Sequence, residues 1–154
     1  MHALNDKKYC RGVSLVEVLV AMVVLSVGTL GLANLQLVGI QANHTGDQRV
    51  QATLLAAEIV DLVHANRASA LAGNYNITAD HASPTDPGCF GASASCSRTQ
   101  QAASDLATWR AGLGNVLTGG SGAVLVNNPA GVSPSVTVTI TWGAGSVFQT
   151  TVGL

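Results

Sequence analysis

The chain has 154 residues, 47% of them apolar and only 10% charged, with a formal net charge of −1. That composition suits one small domain plus a membrane helix and argues against a highly soluble enzyme. Lys7, Lys8 and Arg11 face only Asp6 at the start, while the remainder carries Arg49, Arg67, Arg98 and Arg110, no lysine and no basic cluster, so nucleic acid is not expected as a direct ligand.

Residues 1–12 form a short basic leader whose charge predicts a cytoplasmic N-terminus. From Val18 to Gly46 there is no Lys, Arg, Asp or Glu. About 20 apolar residues suffice for a helix rising ~1.5 Å per residue to cross a bilayer, so residues 13–40 are predicted as a transmembrane helix, apolar around its whole circumference. Glu17 is the one acid in it. A charge in hydrocarbon costs at least ~2.5 kcal/mol, which calls for a partner. A secretory signal peptide, cut after Ala33, is one alternative, but its apolar region would run about 7 to 15 residues without an acid. A plain signal anchor is the other, and both leave Glu17 without a purpose. Gly28, Gly31 and Gly39 each weaken the helix by about 1 kcal/mol relative to alanine. The stretch from Ser26 to Leu35 is therefore either where melting is cheapest or a surface for close helix packing.

The run Arg11-Gly12-Val13-Ser14-Leu15-Val16-Glu17 resembles the class III signal of type IV prepilins and pseudopilins: a short basic leader ending in Gly, then an apolar helix with Glu at its fifth position. Val13 and Ser14 stand where that family most often has Phe and Thr. The wording from Ser14 to Gln36 is most similar to minor pilins of the PilV type, and the likeness thins beyond about residue 60. The resemblance implies that a prepilin peptidase cuts between Gly12 and Val13 and methylates the new amine of Val13, and that Glu17 serves assembly. Cys10 would leave with the leader. The resemblance further implies a single-pass inner-membrane protein with a periplasmic domain, 41–154, that passes into a pilus at the cell surface. Its implied partners are the prepilin peptidase, other minor pilins, the major pilin, the assembly platform and, before assembly, inner-membrane lipid; no cofactor is implied. The implied role is to prime a type IV pilus or sit at its tip, in adhesion, twitching motility or DNA uptake. A minor pseudopilin of type II secretion carries a nearly indistinguishable signal, and a membrane-anchored binding module or adhesin is the alternative of another class.

Between Gln41 and Ala72 the pattern turns amphipathic, with Leu55, Ile59, Leu62 and Val63 at spacings of three and four. One helix is predicted to run on to about residue 72, where Gly73-Asn74 ends it. His44 and His64 lie on it without ligand-like neighbours, and no metal site is predicted. Residues 74–104 read as a long surface loop rich in turn formers. Cys89 and Cys96 within it are expected to pair as a disulfide outside the inner membrane, closing a short loop for about 2.5 kcal/mol; a redox motif or zinc site would need other spacing or further ligands. Tyr75 and Phe90 are expected to anchor the loop.

A short helix, 105–117, is predicted to start at a capping pair, Ser104-Asp105. Leu106, Trp109 and Leu113 share one face of it; Trp109 reads as core, with a sugar-stacking platform as the alternative. Gly119-Gly120-Ser121-Gly122 reads as a turn. Strands follow at 123–126, 136–142 and 146–152; the second alternates Val136, Val138, Ile140 and Trp142 with threonines, the mark of a half-buried antiparallel strand. The expected fold is thus α+β and type IV pilin-like, a long N-terminal helix packed on a small antiparallel sheet. No catalytic constellation is present in the sequence, and no enzyme activity is expected.

Overall fold

The computed structural model describes residues 14–90 and 95–154. Cys10, Gly12 and Val13 lie outside the described residues. The elements are α1 (Leu15–Ala65), α2 (Arg67–Leu71), α3 (Arg98–Val116), β1 (Ser121–Asn127), β2 (Ser135–Trp142) and β3 (Ser146–Gly153). The chain divides into two units, residues 1–44 and 45–154.

In the first unit α1 begins as its apolar sequence dictates. The carbonyl of Ser14 accepts the first helical bonds from the amides of Glu17 and Val18, at 3.0 and 3.3 Å. The most apolar 18-residue window of the helix has a mean hydropathy of 2.3, and none of that window is buried. Ser26 and Thr29 donate their hydroxyls back to the carbonyls of Met22 and Leu25, at 2.7 and 3.1 Å. These two hydroxyls thereby find their partners within the helix itself. Gly28 and Gly31 leave it uninterrupted.

The second unit is an α+β fold. Its sheet has the order β1-β2-β3, antiparallel throughout, with Val124 opposite Val138 and Val138 opposite Thr150. Val136, Val138, Ile140 and Trp142 all point inward, as the alternation predicts. They join one core with Ala52, Ala56, Ile59 and Val63 of α1 and with Leu106, Trp109 and Leu113 of α3. Leu55 and Leu62, expected in the helix's buried stripe, are only partly buried at its edges. Ala52 and Ala56 are fully buried in the core.

Three boundaries depart from the sequence reading. The helix expected to reach about residue 72 is interrupted at Asn66, whose φ of −116° and ψ of 45° are not helical. The Asn66 side chain instead donates to the carbonyl of Arg98 at 2.8 Å, and the chain restarts as α2 before Gly73, at φ +81°, ends it. Second, α3 starts at Arg98, so Ser104 and Asp105 lie inside it. Its true cap is Ser97, which forms a capping box with Gln100: the Gln100 amide donates to Ser97 Oγ at 3.3 Å and the Ser97 amide to Gln100 Oε1 at 2.9 Å. Third, β1 begins within the expected glycine turn. A Cβ on Gly122 would come within 2.4 Å of the Trp109 ring, so this strand position must be bare for the indole to lie against the backbone.

Candidate functional site

Glu17 occupies the first turn of α1, where the partial positive charge of the helix N-terminus favours an acid. It is solvent-exposed in the isolated chain, as are the apolar side chains that follow it, Val18 to Leu32 among them. No other Asp or Glu and no Lys or Arg occurs along this surface down to Gly46. An exposed face that is apolar on every side and carries a single carboxylate at its start is built to be covered by lipid or by other helices.

In the second unit the polar side chains are occupied with holding elements together. Tyr75 is fully buried and donates its hydroxyl to Asp105, whose other carboxylate oxygen accepts from Gln101 Nε2 at 2.8 Å. Burial, and then the Asp105 acceptor, push the Tyr75 hydroxyl well above the usual tyrosine range, so it remains a donor. These groups back a cleft of about 580 Å³ between the break at Asn66 and the start of α3, with Arg67 and Arg98 among its lining residues. Ser69 Oγ also donates to the Arg98 carbonyl, at 3.2 Å. The cleft is a joint in which Asn66, Ser69, Tyr75, Gln101 and Asp105 bond one another or the backbone.

Trp109 is core: its ring is buried and its Nε1 donates to the Leu55 carbonyl at 2.8 Å, tying α3 to α1. Arg110 staples the segment after Tyr75, donating to the carbonyls of Thr78, His81 and Gly122. His64 is a strap, with Nδ1 facing the carbonyl of Val60 at 2.8 Å and Nε2 that of Gly153 at 2.9 Å. Among the described residues no three His, Cys, Asp or Glu side chains gather as a metal site.

Cys89 and Cys96 are joined in a disulfide with their Cα atoms 5.9 Å apart. The loop before it is held by Asp86, which accepts from the Gly88 amide at 2.9 Å and from the Ser104 hydroxyl at 2.5 Å. Ser104, expected to cap a helix, is thus a mid-helix hook for the loop. Phe90, expected to anchor the loop, is 60% exposed; Tyr75 alone of that pair is core. Of the residues expected to carry function, the described part of the chain places Glu17 in the first unit and the bonded cysteines in the second. The interlocking hydroxyls, amides and carboxylates of the joint at Asn66 were not foreseen, although the Ser97-x-x-Gln100 spacing announced where α3 begins.

Residues 7–33 match the family model described as the prokaryotic N-terminal methylation motif, and residues 34–107 match that described as type IV pilin Tt1218. No curated protein and no solved structure matches the chain.

Proposed function

The chain belongs to the type IV pilins, a family of structural subunits rather than enzymes, and from that premise we propose that it is a minor pilin of the PilV type that primes a pilus or sits at its tip. The observation that carries the reading is Glu17 at the head of a helix surface otherwise free of charge from Val18 to Gly46. Prepilin peptidase removes residues 1–12 and methylates Val13, and the mature chain waits in the inner membrane, its second unit on the periplasmic side. Glu17 then pairs with the positive amine of Val13 on the adjacent subunit. Burying either charge alone is costly, whereas a close pair in low dielectric recovers much of that cost, so docking is favoured in one axial register. The carboxylate acts as a ruler for assembly.

Two measurements test this. Mass spectrometry of the mature protein should find methylated Val13 as the first residue; an intact leader or a cut after Ala33 would sink the reading. Glu17→Ala should be inserted and cleaved yet fall at least tenfold in sheared filaments, with Glu17→Asp keeping part of the function. Wild-type incorporation of Glu17→Ala would leave the residue at most a recognition element for the peptidase. Pull-down of membrane-extracted protein separates the nearest competitor: other minor pilins support priming, and secretion pseudopilins would move the chain to a type II secretion system.

A further inference from the structure

The two edges of the sheet are finished differently. On β1 most of the outward-pointing backbone groups are taken: Val124 exchanges both bonds with Ile77 at 2.9 Å, the Val126 amide donates to Asn76 Oδ1 at 2.7 Å, and the Gly122 carbonyl accepts from Arg110 at 2.8 Å. On β3 the parity follows from the Leu154 amide, which donates to the Pro134 carbonyl at 2.8 Å and continues the register in which Ser135 faces Gly153. In an antiparallel pair bonded and non-bonded positions alternate, so Val147, Gln149, Thr151 and Gly153 aim their amides and carbonyls away from β2. His64 takes the Gly153 carbonyl. Among the described residues nothing takes the outward groups of Val147, Gln149 or Thr151.

That open edge lacks every device that normally blunts one. The strand Ser146-Val147-Phe148-Gln149-Thr150-Thr151-Val152-Gly153 has no charge, no proline and an unbroken register with β2, whereas exposed edges are ordinarily protected by lysine, proline or a bulge. Beneath it, on the core side, lies a groove of about 210 Å³ whose lining includes Ala57, Val60 and Asp61 of α1 and Phe148, Thr150 and Val152 of β3. A backbone edge beside a groove that receives alternate side chains is the arrangement by which sheets take up an added strand.

We propose that the β3 edge accepts an extended segment of a different polypeptide as a further strand of this sheet. Its groove-facing residues are apolar apart from one lysine or arginine, which meets Asp61, an exposed carboxylate with no ion pair among the described residues. A second copy of this chain does not fit. The β1 edge of such a copy is largely closed, and its β3 strand carries no lysine or arginine to meet Asp61.

The test places a photoreactive amino acid at Gln149 or Thr151 of the full chain in producing cells and maps the adducts by mass spectrometry. Both adducts should fall on one segment of another protein, two residues apart, the repeat of a paired strand. In Thr151→Pro the Gln149 adduct should drop at least tenfold while thermal unfolding of the chain is little changed, because that amide points away from β2 and proline is tolerated there. If Thr151→Pro does not fold, Gln149→Pro with the probe at 151 replaces it. Adducts on β3 of a second copy, adducts three or four residues apart, scattered adducts or none overturn the proposal, as does an undiminished yield in a folded proline variant. The readout concerns the second unit alone and stands whether or not the leader is cut.

Discussion

Gly122 and Gly112 make opposite cases at the scale of one hydrogen atom. A methyl group on Gly122 would have to displace the Trp109 ring and Leu113, both in the core, and overpacking of that kind costs about 1–3 kcal/mol. On Gly112, inside α3, it would meet only Leu55 Cδ2 at 3.7 Å, an ordinary contact. Replacing a mid-helix glycine by alanine recovers up to about 1 kcal/mol. Thermal unfolding should therefore show Gly122→Ala well below the parent and Gly112→Ala at or above it. Equal midpoints for the two variants would mean that the Trp109 ring does not rest on β1. Tyr75 and Asp105 carry the same lesson in polar form, since a buried hydroxyl is tolerated only while its acceptor is present.

Among the elements, the loop that carries the disulfide depends on one carboxylate. The Ser104 hydroxyl, and after it the Gly88 amide, hold Asp86 below the usual carboxylate range. A folded value below the unfolded one contributes stability that is present above the unfolded value, about 3.9, and is lost as the pH falls through the folded value. The protection of the Gly88 amide, its exchange rate set against that of an unstructured chain at the same pH, should accordingly fall in acid, and Asp86→Ala should leave it unprotected at every pH; a protection in the parent that does not change with pH would show that the Ser104 hook does not hold the loop. The sequence foretold β2 because its alternation is a backbone period that tertiary context had no reason to override. It misplaced the start of α3 because Ser97-Arg98-Thr99-Gln100 lies in a polar run where a capping box looks like more loop. The break at Asn66 was hidden for the opposite reason: its cause is a side-chain bond to Arg98, distant in sequence, and the local pattern continues smoothly. Gly122 read as a turn because glycine marks turns more often than the seat of an indole. Of the candidate site, Glu17 stood out in sequence because a lone acid in an apolar run is improbable without a role.

For the whole molecule, the division into residues 1–44 and 45–154 separates two kinds of stability. Every buried hydrophobic residue of the core, from Ala52 to Trp142, belongs to the second unit. A fragment beginning at Thr45 should thus fold alone and melt cooperatively, as a domain with its own core does; a fragment without a cooperative transition would mean that the apolar stretch of α1 is needed to complete the fold. The first unit has no such core, and in the function proposed above its apolar surface is covered by lipid first and by neighbouring helices afterwards. The placement of the two tryptophans, Trp109 and Trp142, makes this division visible to light. Both indoles are buried in the second unit, and residues 1–44 contain none. The chain's tryptophan fluorescence is therefore a spectrum of the globular unit alone, blue-shifted while the core is intact and moving to the red as it opens, and it stays silent about whatever happens to the apolar stretch of α1.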